Sequence, residues 1–240
     1  MKTFADTPLR AGAIMAAAGL VVLAAGGCGG SAGTETPAKA PVEAPAPKVL
    51  TGTELNPMLL SADAMPKGFK LNSDGARNSG DTLTEGSTDT VPRDKVCGIL
   101  LQTAWIRASG IEGAGFAQND YLGPGQTGQF AQEIDTFKGE DAKKVMAALK
   151  KAFGQCASFT DKSDGTTATV KLVRSTVPGV GDEAVKAVQT SPAWQGGATL
   201  VAARVGNTVV TTLYSSSGKD KGAGGVKLTK AIVENVQAAQ

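Results

Sequence analysis

Short segments that alternate apolar and polar residues fill much of the second half of the sequence. In residues 129–137, Phe130 and Ile134 fall on one side of an extended chain, while Glu133 and Asp135 fall on the other. Six such segments occur, at residues 116–121, 129–137, 167–173, 184–190, 200–205 and 208–214. A period of two is typical of strands with one buried face. Most linkers are too short for the crossover that parallel strands need, so the pattern predicts an antiparallel sheet of about five or six strands.

Helical periodicity surrounds and interrupts these segments. Residues 140–155 repeat Val145, Leu149 and Phe153 at four-residue spacing with lysines on the opposite side, which is typical of an amphipathic helix. Three more helices are predicted from capping residues, helix-ending residues and apolar spacing. One is capped by Thr53, one begins at Pro92, and one contains Leu228, Ile232 and Val236 on one face. Amphipathic helices packed on an antiparallel sheet define an α+β fold.

Two polar stretches need separate interpretation. Residues 70–90 are rich in small polar residues, which predicts a loop or a weak strand pair. Residues 123–128 match the G-x-G-x-x-G spacing of dinucleotide sites, but that motif needs a following helix. Because an alternating segment follows here, we interpret 123–128 as a hairpin loop and reject nucleotide binding. Gly206 and Asn207 predict a second tight hairpin.

The N-terminus carries a targeting signal. Lys2 and Arg10 precede an apolar run over residues 11–27, in the layout of a secretory signal. The run is shorter than the roughly 20 residues of a membrane-spanning helix. Its small-small-Cys ending resembles a bacterial lipobox, in which signal peptidase II cuts before the cysteine and Cys28 carries the lipid. Ala25 stands where that motif prefers Leu, so an ordinary signal peptide cut near Ala25, or an uncleaved anchor, are the alternatives.

These features divide the chain into three parts. We predict a lipoprotein signal peptide over residues 1–27, a lipidated Cys with a Pro/Ala-rich tether over 28–48, and a single globular domain over 49–240. A Pro-rich segment stays extended and could reach roughly 60 Å. The predicted location is the outer, extracytoplasmic face of the cell membrane, with the lipid as anchor.

The remaining cysteines and the charge narrow the function. With Cys28 lipidated, Cys97 and Cys156 remain in an oxidising compartment, and we predict that they form a disulfide; two buried free thiols are the alternative. The chain has no histidine, which removes the usual Ser-His and Cys-His catalysts and the commonest zinc ligand. We therefore expect no enzyme, cofactor or metal. A net charge of +2 gives no basis for nucleic-acid binding.

The order of motifs resembles a known family. A Cys-containing helix (DKVCGILLQTAW) is followed by alternating strands, then by a helix ending in Cys (VMAALKKAFGQCASFT), a Gly-Asp turn (VPGVGDEAV), a Gly-Asn hairpin (ARVGNTVV) and a closing helix. From about residue 49 to the end, this is similar to the PknH-type extracellular sensor domain of actinobacterial lipoproteins and some receptor Ser/Thr kinases.

The resemblance implies a helix-backed antiparallel sheet with a cleft for an unidentified ligand, and it implies no reaction. Only Cys97 and Cys156 carry over, as the structural pair, because the cysteines for a second disulfide found in some members are missing. With no kinase domain in the sequence, a signal would have to pass through a membrane-protein partner.

The leading functional hypothesis is a lipid-anchored sensor-like module that binds a small molecule or envelope component in a groove. Such pockets are mainly apolar with a few polar groups. Four scarce aromatic residues are candidates to line it, and core packing is the alternative for each: Trp105, Tyr121, Trp194 and Tyr214.

Other classes of function remain open. A carrier of lipid or another apolar ligand would need small inward-facing residues, and the compatible ones are Ala168, Ala184, Ala202 and Ala203. A hydrolase could use Glu133 and Asp135, although we expect this pair on a solvated surface. A strongly raised pKa in a cleft would favour the hydrolase, and an exposed pair would exclude it. A structural role in envelope assembly also remains.

Overall fold

In the computed structural model, the described residues are 48–162, 167–216 and 221–240. The predicted signal peptide, Cys28 and nearly all of the predicted tether lie outside the described residues.

One antiparallel sheet organises the described part of the chain. Its strands are β1 (Lys70–Asn78), β2 (Gly115–Leu122), β3 (Gln129–Thr136), β4 (Ser158–Asp161), β5 (Ala168–Thr176), β6 (Glu183–Thr190), β7 (Gly197–Val205) and β8 (Thr208–Ser216). They lie in the order β1-β2-β3-β8-β7-β6-β5-β4, and every neighbouring pair is antiparallel. The predicted α+β class is confirmed, but the sheet has eight strands rather than five or six.

The two additional strands, β1 and β4, are the edges of the sheet. An edge strand packs on one neighbour only and tolerates polar residues that a central strand cannot bury. In β1, Leu71 is 50% exposed, and the register with β2 is irregular between Asn72 and Arg77. The sequence of β1 therefore lacks the apolar alternation that revealed the inner strands, and β4 is only four residues long.

Within the described residues, four α-helices accompany the sheet: α1 (Gly52–Leu55), α2 (Arg93–Ile99), α3 (Asp141–Gln155) and α4 (Ala223–Ala238). The prediction that Thr53 caps the first helix is wrong. The Thr51 hydroxyl accepts a hydrogen bond from the Glu54 N–H, and the Glu54 carboxylate accepts one from the Thr51 N–H, which is a capping box. The chain then passes into a short 3₁₀ helix, Asn56–Met58, that contains the proline.

Alternation along the strands sends side chains to two separate cores. On one side, which we call the α3 face, Ala131 and Leu213 pack with α3. On the other, the α4 face, Phe130 and Ile134 pack with α4. The predicted apolar stripes of both helices are buried. The predicted hairpin loops join β2 to β3 and β7 to β8, and the glycine-rich loop leads into a strand.

The predicted disulfide between Cys97 and Cys156 is present. The two sulfur atoms are 2.02 Å apart and the two Cα atoms 5.4 Å apart. Cys97 lies in α2, and Cys156 is the residue after α3. The bond therefore ties α2, and the chain that follows it, to the helix on the α3 face.

Candidate ligand-binding site

Residues 84–114, which include α2, fold over the β2–β3 end of the α3 face; we call them the cover segment. Its two ends run side by side, with backbone hydrogen bonds from Thr84 N–H to the Ala114 carbonyl and from Asp89 N–H to the Gly110 carbonyl. Trp105 anchors its middle, because its side chain is fully buried and its Nε1–H donates to the Thr212 carbonyl at 3.2 Å.

A large cavity of about 740 Å³ lies along the cover segment. Val91, Ile99 and Ile111 supply apolar wall, while charged groups such as Asp89 and Lys95 also line it. This mixture of apolar surface and a few polar groups is typical of small-molecule sites.

A second cavity of about 410 Å³ shares Arg107, Ile111 and Glu112 with the large one. Its wall on the sheet contains Glu133 and Asp135. We call this second space the acidic cavity. The shared residues make the two cavities neighbours along the cover segment.

Strand β3 brings Glu133 and Asp135 to this position. They lie on the same strand face as Ala131 and opposite to Ile134, which packs on the α4 face. Across the sheet, Glu133 is registered between Gln118 of β2 and Thr211 of β8.

The expectation that this pair is solvated is wrong. Glu133 is 7% exposed and Asp135 is 6% exposed. The sequence placed both residues correctly on the face opposite Phe130 and Ile134. The cover segment closes over that face, and the alternation along β3 does not reveal this.

The two carboxylates lack partners. Oε2 of Glu133 and Oδ2 of Asp135 are buried, and neither atom has a hydrogen-bond partner within the described ranges. The Thr211 hydroxyl beside Glu133 is also buried and has no hydrogen-bond partner among the described residues. No ion pair found in the described part of the chain includes either carboxylate. Since buried polar groups are nearly always hydrogen-bonded, this cluster is an anomaly that needs an explanation.

Two arginines line the acidic cavity but are engaged elsewhere. Arg77 Nη2 donates to the Gln118 side-chain oxygen at 3.2 Å, and its guanidinium carbon lies 5.8 Å from the centre of the Phe116 ring. Arg107 donates from Nε to the Ala104 carbonyl at 3.2 Å and from Nη2 to the Gln102 side chain. Both therefore act on the carboxylates only through their charge.

Burial dominates the electrostatics of the pair. It raises the pKa of Glu133 to about 7. The positive charges of Arg77 and Arg107 lower this pKa, and the negative charge of Asp120 raises it slightly. Burial also raises the pKa of Asp135 well above its ordinary value, and the charge of Glu133 adds to the effect. Asp120, on β2, has its pKa raised to about 6 by burial. The site can therefore hold protons, or it can accept a cation that keeps the carboxylates ionised.

A metal ion has less support. Among residues 48–162, 167–216 and 221–240, no three Cys, Asp or Glu side chains are arranged to hold one.

The predicted aromatic residues do not come together. Trp105 packs in the core, with its ring 5.5 Å from that of Phe153. Trp194 lies in the wall of a third cavity of about 350 Å³ on the α3 face, together with Gln189. That cavity shares Leu101 with the large one.

Tyr121 and Tyr214 lie on the α4 face. The Tyr121 hydroxyl donates to the Leu60 carbonyl at 2.9 Å. Tyr214 is half-buried, with its ring 6.4 Å from the rings of Phe69 and Phe130. Of the four aromatic candidates, Trp194 alone lines one of the three cavities described above.

The alanines proposed for a carrier are also divided between the faces. Ala202 packs in the core of the α3 face, while Ala184 and Ala203 pack in that of the α4 face. Ala168 lies in β5, next to the edge. They let the helices approach the sheet, and they do not outline one shared cavity.

The sequence does not match a known family, whereas the fold does match a known structure. No protein-family model matches the chain, and no curated protein matches its sequence. In the part of the chain that the structure describes, no helix is long and apolar enough to cross a membrane. The fold is similar to the crystal structure of the extracellular domain of PknH from Mycobacterium tuberculosis, with a TM-score of 0.57 and 14% identity over 80% of this chain and 98% of that one. The chain thus shares the fold of that extracellular domain.

Proposed function

We propose that this protein is a lipid-anchored, extracytoplasmic, sensor-like domain that binds a ligand and has no catalytic activity of its own. The observation that carries the proposal is the pair of neighbouring cavities lined by the cover segment, which share Arg107, Ile111 and Glu112. The fold shared with the PknH extracellular domain supports the extracytoplasmic setting.

The anchor follows from the sequence. Cleavage before Cys28 leaves that cysteine to carry the lipid, and residues 28–48 hold the domain away from the outer face of the membrane. A signal would then pass to a membrane-protein partner. Labelling cells with radioactive palmitate tests the anchor: we expect label on the wild type and none on Cys28→Ala. Equal labelling of both proteins would contradict it.

Binding itself is testable by native mass spectrometry on the full-length protein, gently extracted from its own envelope in mild detergent. We expect a reproducible mass adduct that denaturation removes. Ile111→Trp fills the wall that both cavities share and should abolish the adduct. Val173→Trp is the control, because Val173 is 70% exposed on β5. A clean apo mass for the wild type, or an unchanged adduct on Ile111→Trp, would contradict the proposal.

The carrier hypothesis gains no comparable support. A lipid carrier needs an enclosed apolar space, whereas Asp89, Lys95 and Arg107 line the large cavity. These groups favour a polar or charged ligand of small size.

A hydrolase is the second candidate, because Glu133 and Asp135 have raised pKa values within a cavity. Acid–base pairs usually work with their pKa values pushed apart, whereas burial raises both here. Assays of ester and glycoside hydrolysis separate the two functions. Turnover by the wild type that is lost in Glu133→Gln/Asp135→Asn would establish the enzyme, and no turnover by either protein is expected.

A further inference from the structure

The unpartnered oxygens of the acidic cavity are costly for the fold. An ionised carboxylate that is buried without a hydrogen bond or a counter-charge is strongly disfavoured. Here two carboxyl groups lie two residues apart on one strand face, at 7% and 6% exposure. A protein that needed only a stable core could place apolar residues at both positions.

The acidic cavity is large enough for a small organic ligand. It measures about 410 Å³, which is within the usual range for small-molecule sites. Ala104, Ile106 and Ile111 line it on the side of the cover segment. A ligand there would meet carboxylates on the sheet and apolar side chains on the cover.

We propose that the acidic cavity binds the cationic group of a small organic ligand, an ammonium or guanidinium, with Glu133 and Asp135 as the carboxylates that pair with it. The inference rests on the proposed ligand-binding function and names the chemistry of the ligand. The N–H donors of such a group match the carboxylates of Glu133 and Asp135, which line the cavity and have no hydrogen-bond donor among the described residues.

The cavity wall favours an organic cation over a metal ion. Phe116 lines the cavity, and the guanidinium of Arg77 already lies 5.8 Å from the centre of its ring. Planar cations bind aromatic faces in this way. A metal ion would call for a third protein ligand, which the described residues do not arrange.

Binding should be linked to protons. Without a ligand, the pair retains protons because burial disfavours its charges, and an arriving cation stabilises the ionised forms and displaces those protons. The charged groups around the pair are Arg77 of β1, Asp120 of β2, and Glu85, Arg107 and Glu112 of the cover segment. The acids outnumber the arginines, so the cavity favours a cation more strongly as pH rises.

Four probes with the same carbon chain test the inference by NMR titration of the full-length protein in detergent at about pH 8. They are n-butylguanidinium, n-butylammonium, n-butanol and n-butyrate. We expect saturable shifts with the two cations and none with the alcohol or the acid. Glu133→Gln/Asp135→Asn keeps the side-chain shapes and should weaken cation binding by about tenfold or more, because hydrogen bonds to charged groups are the strong ones.

Matched variants make every outcome decisive. Asp63→Asn/Glu234→Gln makes the same two carboxylate-to-amide changes at two exposed positions and should bind like the wild type. Equal cation binding by both double variants would overturn the proposal, as would no binding to the wild type or binding of Ca²⁺ or Mg²⁺ in place of the organic cations. If the envelope adduct persists while butylguanidinium does not bind, the ligand-binding function stands and the cationic class is wrong.

Discussion

On β3, neighbouring buried polar side chains on the two faces of the sheet differ in their hydrogen bonds. On the α4 face, Gln132 receives a hydrogen bond from the Leu60 N–H at 2.9 Å and donates to the Leu60 carbonyl at 2.8 Å. Its neighbour in the chain, Glu133, points to the α3 face and leaves Oε2 without a donor. One step along β3 thus separates a satisfied amide from an unsatisfied carboxylate.

The same contrast recurs on β8. The Thr212 hydroxyl is 2.7 Å from the Thr229 hydroxyl of α4, whereas the Thr211 hydroxyl is buried and has no hydrogen-bond partner among the described residues. Gln189, also on the α3 side, donates from Nε2 to the Leu100 carbonyl, but its buried Oε1 has no partner within the described ranges. The α3 face thus retains polar atoms that a ligand could satisfy.

The largest effect should come from opening the disulfide. Cys97→Ala/Cys156→Ala removes a bond that closes a loop with a sequence separation of 59, and the chain-entropy model gives a loss of about 4 kcal/mol. Because the bond ties α2 to the end of α3, the cover segment should loosen first. Urea unfolding measures the free energy of unfolding, and hydrogen exchange locates the change. Equal loosening of α4 would contradict the separation of the two faces.

Neutralising the acidic pair should stabilise the protein at neutral and alkaline pH. Because the pKa of Glu133 is raised from 4.5 to about 7, the folded state binds more protons than the unfolded state between these values. Stability therefore falls as pH rises through that range, by about 3 kcal/mol for Glu133. Asp135 shifts in the same direction.

The measurement is urea unfolding of Glu133→Gln/Asp135→Asn and the wild type from about pH 4 to about pH 8. The two proteins should converge at the acid end, and the variant should be the more stable at the alkaline end. A variant that is less stable at every pH would mean that the carboxylates have partners in the folded protein.

The smallest effect compares two adjacent threonines. Thr212→Val removes the hydrogen bond to Thr229 and should lose about 1 kcal/mol. Thr211→Val removes a hydroxyl that has no partner and should be neutral or slightly stabilising. Thermal unfolding of both variants is the measurement. Equal losses would remove the contrast between the faces on β8.

The sequence predicts the inner strands and the long helices because the packing around each of these elements requires a regular pattern of apolar residues. A strand such as β8 must fit two neighbours and two cores, and its alternation shows it. The edge strand β4 was not predicted, and β1 lies in residues 70–90, for which the sequence predicts a loop or a weak strand pair. An edge strand needs no alternating apolar pattern. Likewise, the short first helix began at a capping box around Thr51 and not at Thr53.

The candidate site was harder to predict for a related reason. The sequence identified Glu133 and Asp135 and their common face, but their burial depends on the fold of residues 84–114. That segment is anchored by Trp105, by the disulfide, and by Val96 and Leu100 in the core of the α3 face, and its sequence does not show which strands it covers. Similarly, aromatic residues are scarce in this sequence, but their scarcity does not show whether a given ring packs in the core or lines a cavity.

The most direct measurement is a calorimetric titration of the full-length protein with n-butylguanidinium near pH 7, in two buffers that differ in ionisation enthalpy. If the α3 face holds a cation site formed by Glu133 and Asp135, binding releases protons and the measured heat depends on the buffer. Affinity should then rise at higher pH. No binding, or binding without proton release, would contradict the account.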